Sequence, residues 1–289
     1  MNEIRRVAVI GAGTMGHGIA QVAALAGWDV TLTDARPATL GAARDRIRHN
    51  LEGSVSRGKV NSEAATAALA RISLATTVGD AAGATDLVIE AIVEDLDVKR
   101  ALFAELASAA PSTATLATNT SSLSVAAIAD AVPESGRVVG MHFFNPVHVM
   151  KLVEVVRHER SDAAHVDRVV GAARAMGKEP IVVRDAPGFA SSRLGVVLGL
   201  EAMRMVEQGV AAPADIDKAM ELGYGHPMGP LKVTDLVGLD VRLAIAEYLQ
   251  RKLGGAHYAP PDILRAKVRA GELGKKTGKG FYEWPTTPS

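Results

Sequence analysis

His142 and Glu154 are the residues whose types and settings could move a proton. His142 closes the run Val138-Val-Gly-Met-His142, and Glu154 sits inside Leu152-Val-Glu-Val-Val156. Alternation along a strand puts Glu154 on the face of Leu152 and Val156, so its carboxylate is expected to be buried. A buried carboxylate needs a partner, and an imidazole is a good one. Such a pair holds the imidazole in one tautomer and makes it more basic, which suits it to take a proton from an alcohol. The same pattern also fits a satisfied core histidine and an edge-strand glutamate turned to solvent.

A second constellation could hold a nucleotide. Val7-Ala-Val-Ile-Gly11-Ala-Gly13-Thr-Met-Gly16 is a strand, a GxGxxG turn and the start of a helix. The first glycine permits the tight turn, the second lets backbone approach a pyrophosphate, and the third lets helix and strand pack closely. The helix N-terminus adds free N–H groups and partial positive charge. Gly11, Gly13, Thr14, Met15 and Gly16 are therefore candidate cofactor contacts. A second strand ends in Asp34, 18 residues past Gly16, where a ribose-binding acid belongs. A carboxylate there accepts from a ribose 2′-OH and repels a 2′-phosphate, so NAD is expected over NADP, although Arg36 stands nearby. Thr118-Asn-Thr-Ser-Ser122 follows another strand. It reads either as a serine-capped helix start or as donors at the carboxyl end of a parallel strand, where open sheets bind ligands.

The elements that must position these residues follow from patterning. Strands are expected at 5–10, 30–34, 72–74, 87–90, 115–118, 138–142, 152–156 and 181–183, alternating with Ala-rich helical stretches. Runs apolar on successive residues suit strands covered on both faces by helices. The expected fold is α/β: a doubly wound, mostly parallel, Rossmann-like sheet followed by an all-helical C-terminal domain. From Pro187 no strand-length run remains, and Pro187–Gly209 reads as one long helix, apolar nearly all round and so buried in a core or against a partner. The domains are set at 1–185 for the dinucleotide and 186–289 for substrate and dimerisation.

Composition narrows the function. The chain has 289 residues, 48% hydrophobic and 22% charged, with 32 basic and 32 acidic side chains. Balanced charge argues against a general nucleic-acid surface. The absence of cysteine excludes disulfides, thiol nucleophiles and cysteine-ligated metal, and no HExxH-type pair points to zinc. No run reaches the roughly 18–20 apolar residues that span a bilayer. The chain goes straight into a strand-like run without a leader, so a cytoplasmic protein without membrane or metal is expected.

These residues resemble the 3-hydroxyacyl-CoA dehydrogenase family, in particular its short stand-alone 3-hydroxybutyryl-CoA type. The resemblance runs through VIGAGTMGHGIAQVAALAG, DLVIEAIVEDLDVK, NTSSLS, GMHFFNPVHVMKLVEVV, DAPGF, GHPMGPLKVTDLVGLD and GKKTGKGFY, in that order. It implies NAD as cofactor and a 3-hydroxyacyl-CoA as substrate. By position it makes His142 the catalytic base, Glu154 its orienting partner and Ser121 a contact to the substrate oxygen. Glu94, Lys99, Ser121, Asn145 and Lys276 match positions around the cofactor. Asn50 and Arg57 fall where the family has a serine and a lysine that meet CoA. Ser192 stands where the family has a substrate-holding asparagine, which bears on acyl geometry. A homodimer through the helical domain is implied as well. Two alternatives remain at this level: a same-fold dehydrogenase of a free hydroxy acid or sugar acid, and a silent dinucleotide-binding protein.

Overall fold

The computed structural model describes residues 4–285; the outermost positions of the two expected domains, 1–3 and 286–289, lie outside the described residues. The chain divides into two compact units, Met1–Ala186 and Pro187–Ser289.

The first unit runs β1 (Arg6–Ile10), α1 (Gly16–Leu25), β2 (Asp29–Thr33), α2 (Pro37–Ser56), α3 (Ser62–Ala70), β3 (Ile72–Ala75), α4 (Val78–Ala82), β4 (Leu87–Glu90), α5 (Leu96–Ala109), β5 (Thr115–Thr118), α6 (Val125–Ala129), β6 (Val138–Phe143), β7 (Leu152–Arg157), α7 (Ala163–Ala175) and β8 (Glu179–Arg184). All eight expected strands form, in the order β3-β2-β1-β4-β5-β6-β7-β8. Every neighbouring pair is parallel except β6 and β7. The strand order reverses between β1 and β4, and the carboxyl ends flanking such a switch are where open α/β sheets take ligands. One sheet face buries Val7, Val9, Val30, Leu87, Ile89, Val139, Met141, Val153 and Val155 with Ile19 and Ala23 of α1 and Val166 and Val169 of α7. At about 25 cal/mol per Å² of apolar surface removed from water, this shared core is the main force flattening the helices onto the strands.

One expectation about the strands needs correction. Burial on both faces holds for β1, β4, β5 and β6 but fails at the sheet's ends. Leu74 of β3 and Ile181 and Val182 of β8 are exposed, because an outer strand lacks neighbours to cover it.

The second unit is helical: α8 (Ser191–Glu207), α9 (Pro213–Tyr224), α10 (Pro230–Val237), α11 (Leu239–Leu253) and α12 (Asp262–Arg269). Its core joins Val196, Leu200 and Met203 of α8 to Leu231 of α10, Leu239 and Leu249 of α11 and Leu264 of α12. The long helix starts at Ser191 rather than Pro187, because Gly188 (φ 75°) and Phe189 (φ 49°) take left-handed backbone that a right-handed helix cannot contain. Nor is α8 covered all round: Leu194 is 67% and Leu198 43% exposed. Two buried acids organise the rest. Asp217 accepts from the Leu231 and Lys232 amides at the start of α10 (2.8 and 2.9 Å) and from the Tyr282 hydroxyl (2.7 Å). Asp235 accepts from the Phe281 and Tyr282 amides and from Trp284 Nε1 (2.9, 2.9 and 2.8 Å). The C-terminal segment is thereby tied down by acceptors rather than by apolar packing alone.

Candidate active site

The glycine turn is shaped by contacts the sequence motif cannot display. Gly11 has φ 102°, and a β-carbon there would lie 2.5 Å from the Ala91 carbonyl oxygen; one on Gly16 would lie 1.6 Å from the Gly11 oxygen. Both glycines are required by the fold itself. Gly13 differs, since a β-carbon there would meet nothing within 4 Å. It borders a cavity of about 740 Å³ with Thr14, Met15, Asp34, Arg36 and Ile92. Asp34 follows β2 and accepts from the Ala12 amide (2.9 Å) through one oxygen and from the Arg36 amide (2.9 Å) through the other. An open glycine backbone, a helix N-terminus and a carboxylate at the end of the second strand fit the pyrophosphate and ribose of NAD.

On the far side of the switch, a glutamate collects the polar loop after β5. Glu94 Oε1 accepts from Thr120 Oγ1 (2.7 Å), the Ser121 amide (2.8 Å) and hydroxyl (3.1 Å), and the Ser122 amide (3.2 Å) and hydroxyl (3.4 Å). Burial alone would raise the Glu94 pKa. The Lys99 charge and the bonds from Thr120 and Ser121 outweigh it and hold the carboxyl below its ordinary range. The helix-cap reading of this loop belongs to Ser124, whose hydroxyl accepts the Ala127 amide (3.2 Å). Ser121 and Ser122 turn to Glu94 instead. Lys99 is 1% exposed, with Nζ 2.5 Å from Glu90 Oε1 and 3.5 Å from Glu94 Oε2. None of Glu94, Lys99, Ser121, Asn145 and Lys276 lines the 740 Å³ cavity, and Lys99 lies in the interior.

His142 and Glu154 oppose each other in the antiparallel register of β6 and β7. His142 Nδ1 is 2.8 Å from Glu154 Oε2, and the two residues are 6% and 0% exposed. A carboxylate can only accept, so Nδ1 carries the hydrogen of this bond. The solvent-facing reading of Glu154 is therefore excluded. The Phe144 ring lies 4.5 Å from the imidazole, centroid to centroid. The Phe143 amide donates to Asn119 Oδ1 (2.8 Å), which ties β6 to the loop that carries Ser121. Asn145, exposed, precedes a cis peptide bond to Pro146. The loop beyond it packs on α1, where a β-carbon on Gly18 would come 2.8 Å from Val147 Cβ. Buried Lys178 donates to the Val147 and Met150 carbonyls, and that burial lowers its pKa.

Asn50 lies in the second half of α2 and Arg57 caps its C-terminus; neither lines the 740 Å³ cavity. Arg57 folds back towards Gly53. It also belongs to a positive neighbourhood: burial first, then the charges of His17, Lys178, Arg57 and Lys59, hold the His148 imidazole below its ordinary range. Ser192 is half-buried in the first turn of α8. Lys276 pairs with both oxygens of Asp240 at 2.6 and 2.7 Å within the helical unit. No role is assigned to Glu90 or Lys178 from sequence, and Asn119 is legible only as part of the polar stretch Thr118–Ser122. For Glu90 the signal was there, an acid closing the apolar run Leu87-Val-Ile-Glu90 as Glu154 interrupts another.

Comparison with known proteins follows the same division. Residues 6–186 match the model of the 3-hydroxyacyl-CoA dehydrogenase NAD-binding domain, and residues 188–284 match that of the 3-hydroxyacyl-CoA dehydrogenase C-terminal domain. The chain is 44% identical over 285 residues to a 3-hydroxybutyryl-CoA dehydrogenase of Mycobacterium tuberculosis, covering 98% of this chain and 99% of that protein. It is 43% identical to a probable 3-hydroxybutyryl-CoA dehydrogenase of Bacillus subtilis, covering 98% of each. The crystal structure of M. tuberculosis FadB2 superposes with a TM-score of 0.94 at 44% identity, covering 98% of this chain and all of that one.

Proposed function

The chain belongs to the 3-hydroxyacyl-CoA dehydrogenase family, and from that membership we infer an NAD-dependent oxidoreductase that interconverts (S)-3-hydroxyacyl-CoA and 3-ketoacyl-CoA. The names of its relatives support a short acyl chain such as 3-hydroxybutyryl. The observation that carries the mechanism is the buried 2.8 Å contact between His142 and Glu154.

Bound NAD supplies the hydride acceptor and, reduced, the hydride donor. Gly11, Gly13, Thr14, Met15 and Gly16 would hold its pyrophosphate, and Asp34 its adenosine ribose. Glu94, Ser121, Asn145 and Lys276 are assigned to the rest of the cofactor's surroundings, with Lys99 acting through Glu94. His142 takes the proton of the substrate hydroxyl as C3 is oxidised, and returns it to the carbonyl oxygen in the reverse direction. Glu154 keeps the Nδ1 hydrogen in place, so that proton exchange falls to Nε2, and its charge offsets the imidazolium. Ser121 and Ser192 steady the substrate oxygen. Serine keeps a donor at position 192 but lacks the carbonyl of asparagine, and acyl preference is read from that difference. Asn50 and Arg57 meet the CoA moiety, and the positive surroundings of Arg57 suit its phosphates.

Most assigned cofactor contacts lie in the N-terminal unit, and the helical unit contributes Ser192 to the substrate and pairs two protomers. Exposed Leu194 and Leu198 on α8 support a homodimer through that unit. Among the described residues no helix is long and apolar enough to cross a membrane, and a cytoplasmic location agrees with the chemistry. Oxidation of NADH with acetoacetyl-CoA tests the assignment. Turnover of free acetoacetate alone would overturn the thioester reading, and NADH binding without turnover across 3-ketoacyl-CoA substrates would overturn the enzymatic one.

A further inference from the structure

Glu94 gathers the Ser121 loop with one oxygen, and its other oxygen faces Lys99. What fixes Lys99 lies deeper. Glu90 closes β4 beside the end of β1, in register with Ile10 on one side and Thr118 on the other. It is fully buried. Its Oε1 accepts from Lys99 Nζ (2.5 Å) and the Ile92 amide (2.7 Å), and its Oε2 accepts from Thr118 Oγ1 (2.7 Å). A carboxylate with this many donors has one orientation. An ammonium 1% exposed cannot leave it without stranding a buried charge.

We propose that Glu90 is a positioning residue for the dehydrogenase reaction: through Lys99 it fixes Glu94, and through Glu94 it sets the Thr120–Ser122 loop that presents Ser121. The role rests on the functional reading above. The chain of contacts runs from the end of β4, through the first turns of α5, to the loop after β5. It thus spans the two strand ends on one side of the switch point. Removing the Glu90 charge leaves Glu94 as the remaining carboxylate within ion-pair distance of Lys99 among the described residues. Glu94 is then drawn inward, away from the Ser121 amide and hydroxyl.

The test removes the buried charges together, because E90Q alone strands an ammonium. Buried pairs replaced by neutral groups of similar volume generally keep their stability. Wild type, E94Q, E90Q/K99M and E90Q/K99M/E94Q are compared by thermal melting, by NADH titration through its fluorescence, and by kcat and KM with acetoacetyl-CoA. E90Q/K99M is expected to melt near wild type, to lose roughly tenfold in kcat, and to bind NADH more weakly. Adding E94Q should then change neither value by more than about twofold, because groups that act in series are non-additive. T118V removes a hydroxyl that donates to Glu90 Oε2 and also accepts from the Thr120 amide (3.3 Å), so it should show a smaller loss that E94Q absorbs only in part. A folded E90Q/K99M with wild-type kcat overturns the role, as does an E94Q effect that multiplies in full on top of it. Wild type that oxidises no NADH with acetoacetyl-CoA overturns the functional reading and this role with it; an active wild type confines any failure to Glu90.

Discussion

A β-carbon on Gly16 would lie 1.6 Å from the carbonyl oxygen of Gly11, whereas one on Gly13, between them, would touch nothing. The outer two glycines of the turn are thus required by the fold, whereas the proposed function requires the middle one for the cofactor. G16A should fail to reach a native melting transition. G13V should melt as wild type does, within the roughly ±0.5 kcal/mol of an innocuous surface change, and lose NADH affinity by at least about tenfold. Thermal melting and fluorescence titration of both variants check the contrast; equal affinity in G13V would contradict it.

The buried imidazole–carboxylate pair makes a kinetic prediction. H142Q should lower kcat by about 10²–10⁴-fold, the usual worth of general acid–base catalysis, while NADH binding stays near wild type. E154Q should lower kcat as well, and H142Q/E154Q should be no slower than H142Q alone, because Glu154 acts through the ring. Steady-state rates for the three variants decide this, and a double variant much slower than H142Q would give Glu154 an independent role.

Asp34 both faces the nucleotide cavity and ties Ala12 and Arg36 by their amides. D34S removes the charge that repels a 2′-phosphate. The ratio of kcat/KM for NADH over NADPH should fall, and the melting temperature should drop by the equivalent of about 1 kcal/mol for the lost bonds. An unchanged ratio would place cofactor choice elsewhere.

Glu94 predicts a pH dependence of stability. Burial raises its pKa, but the Lys99 charge and the loop donors more than offset that, so the folded value lies below the unfolded one. A depressed carboxyl stabilises the native state above the unfolded pKa, and that contribution is lost as pH falls through the folded value. Urea unfolding at pH 7 and at successively lower pH should therefore show wild type more stable than E94Q at neutrality, with the gap closing in the acid range. A gap that widens on acidification would reverse the assignment.

The exposed leucines of α8 carry the dimer expectation. Leu194 and Leu198 lie one turn apart, so L194E/L198E places two charges on one apolar face. Sedimentation should show wild type as a dimer at micromolar concentration and the variant as a monomer; a monomeric wild type would remove the proposal.

The strands were legible because each is a short apolar run between turn residues. His142 and Glu154 were legible because a charged or basic side chain in such a run demands a partner. Glu90 carries the same signal, but its partner Lys99 lies a helical turn into α5 and shows no pattern linking the two. Pro187 reads as a helix entry because it heads a helical run, whereas α8 starts later because Gly188 and Phe189 take left-handed backbone. Asn50 and Arg57 could be assigned only by resemblance. Nothing local in α2 distinguishes a ligand contact from a solvated helix end.

The crossing from β6 to β7 governs how the His142–Glu154 pair can tolerate change. His142 meets Glu154 because both point to the sheet face opposite Met141 and Val153. Side chains in a strand change sides at every step. Lengthening the hairpin between Phe144 and Lys151 leaves that alignment untouched, whereas deleting a single residue inside Leu152–Arg157 would carry the acid through the sheet to the α7 side. Changes in length within the strand should therefore be excluded first, so that the acid keeps its side of the sheet even where its neighbours drift.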